Sequence, residues 1–131
     1  MEELYNLELS DSTIKAMLEI NPSIEEMSKN EIDEKIEILE KIKCTKIQIT
    51  NIIGSNALYL SRTNGEIINL INNLMEYGFT NLNILFDSNP YILNLEPFEI
   101  NNYIDKRINN GENLEEIIDE LDSNPYIFNE M

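Results

Sequence analysis

The sequence contains no histidine, no valine and no tryptophan, and it has one cysteine in 131 residues. Without histidine, His-activated nucleophiles and nearly all zinc and iron sites fall away. The single thiol, Cys44, cannot close an internal disulfide, so the fold does not depend on an oxidising compartment. Basic residues are scarce: nine Lys and Arg face 25 Asp and Glu, a formal charge of −16. No apolar run approaches the roughly 20 residues of a membrane span. The start, Met1-Glu2-Glu3-Leu4-Tyr5, has neither the basic flank of a signal peptide nor the arginines of a transit peptide. The expectation is a soluble, cytoplasmic protein that uses no membrane.

What the chain does have is core material. Apolar residues make up 42% of it, with 22 Ile and 15 Leu. The length suits one domain, 1–131, able to bury about two-thirds of its unfolded surface, which excludes wholesale disorder. Twenty Asn are spread evenly and read as an AT-rich coding bias without chemical meaning.

The strongest signal is internal repetition. Asp-Ser-Asn-Pro-Tyr-Ile occurs at 87–92 and again at 122–127, and weaker copies lie at Asn21-Pro22-Ser23-Ile24 and Ser55-Asn56-Ala57-Leu58-Tyr59. Pro22, Ala57, Pro90 and Pro125 therefore punctuate the chain at intervals of 35, 33 and 35 residues. Such a period marks stacked supersecondary units. Each Asn-Pro stops one helix, because proline lacks an N–H and drives its predecessor out of helical dihedrals. A short turn should follow, carrying Ile24, Leu58–Leu60, Ile92 and Ile127 inward. Capping boxes at Ser28…Glu31 and Thr63…Glu66, and Glu96-Pro97-Phe98-Glu99 in the third copy, open longer helices. Their apolar faces are Ile32/Ile36/Leu39/Ile42, Ile67/Ile71/Leu74/Tyr77 and Ile100/Ile104/Ile108. Gly78 and Gly111 follow as C-caps. A second helix type, capped by Ser10, Thr45, Thr80 and Asn113, runs into each punctuation point. Its stripes are Ile14/Met17/Leu18, Ile49/Ile52/Ile53, Ile84/Leu85 and Ile117/Ile118/Leu121. The fold class is all-α: a solenoid of about three and a half two-helix repeats with short 3-10 turns, its handedness open.

This pattern of Pro-x-(Ile/Leu), cap, helix, Gly-x-Thr and a short helix into Asn-Pro resembles the repeats of the mitochondrial transcription termination factor family. Tyr77-Gly78-Phe79-Thr80 through Ser88-Asn89-Pro90-Tyr91-Ile92-Leu93 carries the resemblance most fully, and the similarity covers residues 10–131. It implies a curved solenoid of two helices and a 3-10 turn per unit. Members of that family bind nucleic acid along a basic concave groove. This chain is shorter and strongly acidic, so the fold is expected to carry over and the groove chemistry is not.

Charge is unevenly distributed. Residues 1–40 sum to −9, residues 66–104 to −5 and residues 105–131 to −6, whereas 41–65 hold Lys41, Lys43, Lys46 and Arg62 with no acid. Phosphate binding needs cations that displace condensed counterions. Four cations in one segment reach few phosphates, and the surrounding field is repulsive within a Debye length of about 8 Å. The acids suggest the opposite partner. Glu25, Glu26, Glu31, Asp33, Glu34, Glu37 and Glu40 crowd one stretch, and Glu112, Glu115, Glu116, Asp119 and Glu120 another. Fixed on helices, they would steer a basic protein toward the chain, including one whose own cleft holds nucleic acid. The preferred expectation is an acidic inhibitor or adaptor that imitates nucleic-acid charge, of a kind suited to a phage or mobile element. The alternatives are direct nucleic-acid binding through Lys41, Lys43, Lys46 and Arg62, and self-association through an uncovered C-terminal end at Ile127-Phe128. Acidic helix faces also serve solubility alone.

Catalytic readings are weak. Paired carboxylates need one held in an apolar pocket, and no Asp or Glu interrupts a core stripe. Asn109-Asn110-Gly111-Glu112-Asn113 lacks the alternating ligands of a calcium loop. Gly65 alone is no phosphate loop. Cys44 aligns with Phe79 and reads as a small buried apolar residue. Tyr91 and Tyr126, with Tyr59 nearby, are either an exposed contact row or inter-repeat packing. No enzyme activity, metal or cofactor is expected.

Overall fold

The structure, a computed structural model, describes residues 2–131. Three units follow one another, and a fourth opens at the C-terminal side. The units are α2 (Asp11–Ile20), a 3-10 turn (Pro22–Glu26) and α3 (Lys29–Lys41); α4 (Lys46–Ser55), a second turn (Ala57–Ser61) and α5 (Asn64–Tyr77); then α6 (Leu82–Ser88), a third turn (Pro90–Asn94) and α7 (Pro97–Asn109). α8 (Leu114–Ser123) and a fourth turn (Pro125–Glu130) open the next. No strand occurs among the described residues. A short helix that the sequence did not signal, α1 (Glu2–Asn6), packs against α3 and takes the place of a long helix in the stack.

Local chemistry sets these boundaries. Ser28 and Glu31, Thr45 and Gln48, and Thr63 and Glu66 all form reciprocal capping boxes, so orphan amides at three helix starts are satisfied within four residues. Thr80 does not cap α6. That helix starts later and is only seven residues long, with Asn81 at its N-cap position. The turns between long and short helices recur at Glu8, Lys43, Gly78 and Gly111, all at positive φ (63°, 75°, 105° and 90°). Two of these four left-handed positions are glycine, and the other two are tolerated without it.

The stack has three layers. Short helices pack on short helices, long on long, and each 3-10 turn contacts the next turn as well as the short helix before it. The core runs continuously through Ile24, Leu39, Ile52, Leu60, Leu74, Phe86, Leu93, Ile104 and Leu121. Each such side chain contributes roughly 1.5–3 kcal/mol by leaving water.

Several expected inward residues face out. Leu58, Ile84 and Ile108 are exposed. In the second turn Tyr59 and Leu60 are buried instead, and in the shortened α6 Leu82, Leu85 and Phe86 form the inner face. Ile36 and Ile42 are half-buried, while Ile38 and the stem of Lys35 go inside. Glu3, in α1 and outside the stripes read from the sequence, is a buried acid. Phe128, expected to lie uncovered, is 0% exposed. It packs on Phe79 with ring centroids 6.0 Å apart.

Side chains also join one repeat to the next. Asn21 donates through Nδ2 to the Ala57 carbonyl (3.0 Å) and Ser61 Oγ (2.7 Å). Asn56 donates to the Pro90 carbonyl and Asn94 Oδ1, both at 3.0 Å. Asn89 repeats this onto Pro125 and Asn129, again at 3.0 Å. Each asparagine thus reaches the first and fifth residues of the following turn. Asn21, Asn56, Asn89 and Asn124 share nearly the same backbone angles, φ −134 to −143°. Asn56 adopts them before alanine, so the stack and not proline alone imposes them.

Candidate interaction surfaces

The first acidic stretch is divided between the first 3-10 turn and α3. Glu25, Glu26, Glu31, Glu34, Glu37 and Glu40 are exposed, and Asp33 is half-buried. Glu31 is occupied in the capping box with Ser28, and Glu34 accepts from Asn64 Nδ2 at 2.7 Å. Glu25, Glu26, Glu37 and Glu40 have no ion-pair partner among the described residues. In the second stretch Glu112 and Glu120, both exposed, are paired with Arg107 at 2.6 and 2.7 Å. The Arg107 hydrogen bonds hold the Glu112 carboxyl below its usual range. Glu115, Glu116 and Asp119 stay exposed and unpaired among the described residues.

The cations are distributed differently from what their sequence cluster suggested. Arg62 is not available at the surface: its side chain is 10% exposed. It donates to the carbonyls of Leu93 (2.6 Å) and Leu95 (2.8 Å) and to Glu96 Oε1 (2.7 Å), clamping the second repeat to the third. Lys35 is buried between α3 and α5 and donates from Nζ to Asn64 Oδ1 at 2.6 Å. Desolvation lowers its pKa, partly offset by Glu34 and Glu31. Arg107 binds Tyr103, Glu112 and Glu120. Three of nine basic side chains therefore serve internal bonding. Lys46 lies 3.4 Å from Glu8, which leaves Lys41 and Lys43 exposed on the turn after α3.

The roles of Arg62 and Lys35 were hidden from sequence reading because their partners lie about 30 residues away, whereas those of Arg107 lie 4 to 13 residues off. The recurring asparagine could have been found. It persists at position 56, where the proline is missing, and so marks a function of its own.

The tyrosines separate into two kinds. Tyr59 is buried, and its hydroxyl donates to the Lys35 carbonyl at 2.6 Å. Burial, the largest cause, raises its pKa and keeps the phenol protonated. Tyr91 and Tyr126 are exposed, in register with Leu58 at the second position of successive stacked turns. Cys44 is buried as expected, and burial pushes its thiol up to about 11. No cluster of three or more Cys, Asp or Glu suited to a metal occurs among the described residues. Nor is any helix among them long and apolar enough to cross a membrane.

The repeat geometry accords with a family comparison: the mTERF model matches residues 1–121. The chain belongs to the mTERF family. It is thus an acidic mTERF protein of three units and part of a fourth, with its repeats joined by buried asparagines. No curated protein and no solved structure matches it significantly.

Proposed function

We propose that this mTERF chain acts as a single, non-catalytic binding domain of 131 residues. Its acidic faces hold a basic protein surface of the kind that otherwise binds nucleic acid. The observation that supports this reading is the asymmetry of pairing. Glu25, Glu26, Glu37, Glu40, Glu115, Glu116 and Asp119 are exposed without an ion-pair partner among the described residues, while Lys35 and Arg62 are turned inward and Arg107 is held by Glu112 and Glu120. A rigid array of uncompensated carboxylates attracts a basic partner from a distance and sets its orientation. Glu31, Asp33, Glu34, Glu112 and Glu120 contribute to the same field, though Asp33 is half-buried and the other four are bonded internally.

The test is retrieval of partners from nuclease-treated native lysate, elution with rising salt, and competition with DNA or RNA. Release of a basic nucleic-acid-handling protein at moderate salt, and its displacement by nucleic acid, is the expected result. A salt-insensitive neutral partner refutes the charge argument. So does unchanged binding after reversal of Glu25, Glu26, Glu37 and Glu40 to lysine.

Family membership favours a second reading, direct nucleic-acid binding through Lys41, Lys43 and Lys46. With Arg62 sequestered, three phosphate contacts give a log–log salt slope of about −3 at most. A steeper measured slope requires a surface other than this one.

A further inference from the structure

The notch between the turn after α3 and the turn after α5 combines unpaired positive charge with an apolar floor. It encloses about 440 Å³, walled by Ile42, Met75, Phe79 and Leu82, with Lys41 and Lys43 at its rim. Phe79 and Leu82 are anchored in the core, whereas Met75 is 56% exposed and forms the open wall. Neither lysine makes an ion pair among the described residues. Both belong to the longest acid-free stretch of the chain, 41–65.

We propose that this notch binds a short acidic peptide segment of a partner protein, with one large apolar side chain seated between Ile42 and Met75. The floor rewards an apolar group, since burying one Leu or Phe side chain is a substantial gain. The two lysines then meet carboxylates on either side of it, which fixes the direction of the segment. A nucleic-acid backbone fits less well. Glu37 and Glu40 beside Lys41 oppose any anion, and what disfavours the backbone is the floor, from which its phosphates gain nothing, with only two unpaired cations to hold it. The proposal is separate from the acidic-face reading and gives the chain a second site of opposite sign.

Fluorescence anisotropy on the full chain tests it, with a labelled peptide Ser-Asp-Asp-Leu-Phe-Asp-Asp-Ser and a control in which Leu-Phe is replaced by Ser-Ser. The expected result is saturable binding of the first, at least about tenfold tighter than the control. Joint Lys41→Glu and Lys43→Glu reversal should weaken it about tenfold. Glutamate is tolerated at this backbone position, because Glu8 occupies the equivalent left-handed site at φ 63°. Met75→Asp should weaken binding several-fold with the far-UV circular dichroism unchanged. Equal affinity for both peptides, no saturation, or indifference to the lysine reversals overturns the proposal. So does displacement by a single-stranded oligonucleotide with the same lysine dependence, which would assign the notch to nucleic acid.

Discussion

Replacing Asn56 with alanine tests whether the buried asparagines hold the repeats together. Asn56 is 2% exposed and gives both amide hydrogens to the next repeat, at 3.0 Å to the Pro90 carbonyl and 3.0 Å to Asn94 Oδ1. Two hydrogen bonds contribute about 1–3 kcal/mol net. The upper part of that range applies, because Pro90 is itself buried and its carbonyl loses a partner that water does not replace. The expected loss is therefore about 3 kcal/mol, or roughly 10 °C in Tm for a chain of this size. Asn124 supplies an internal control. It holds the same place in its repeat and the same backbone angles, but it is exposed and donates to no following turn among the described residues. Asn124→Ala should stay within about 0.5 kcal/mol of the parent. Urea unfolding followed by far-UV circular dichroism measures both. If Asn56→Ala costs less than about 0.5 kcal/mol, or if Asn124→Ala costs as much, the bonds between repeats are incidental and packing alone sets the stack. Asn56→Asp adds a second arm. It keeps the shape but turns an acceptor toward two acceptors, and should be at least as damaging as alanine at neutral pH.

Three further outcomes are expected. Gly78→Ala should cost about 1 kcal/mol and Gly65→Ala should gain roughly 0.5–1 kcal/mol by urea unfolding, since neither added methyl meets any atom within 4 Å and only Gly78 sits at positive φ. Tyr59→Phe should destabilise by about 1–2 kcal/mol by removing the 2.6 Å bond to the Lys35 carbonyl, and a value near zero would show that carbonyl to be satisfied by its helix alone. For Cys44 the folded pKa is raised from 9.0 to about 11, by burial first and Asp87 second, so the unfolded thiol ionises earlier and folding stability falls as pH rises from about 9 to 11. Subtracting the pH profile of Cys44→Ser isolates that loss, at most about 3 kcal/mol, and a flat difference profile would refute the burial argument.

Residue spacing alone determined the all-α class, the period of the repeat and most helix starts. The reason is range. A capping box such as Ser28 with Glu31 closes within one helical turn, and proline acts on its immediate neighbour, so such signals are complete in a short stretch of sequence. Apolar stripes were equally legible along α5, and partly so along α3 and α7, where Ile38 went inside unforeseen and Ile108 faced out. They failed in α6, where Asn81 replaced Thr80 as the cap position and the shorter helix buried Phe86 in place of Ile84. Only the tertiary structure decided which charges are free. Arg62 looked like part of a basic surface and became a clamp on Leu93, Leu95 and Glu96. Lys35 looked like one more solvated helix charge and lies buried against Asn64. Those bonds join residues about 30 apart, and stacking brings them together because a repeat buries its apolar face only against its neighbour. The notch lined by Ile42, Met75 and Phe79 arises the same way, at a junction between units that neither unit contains by itself.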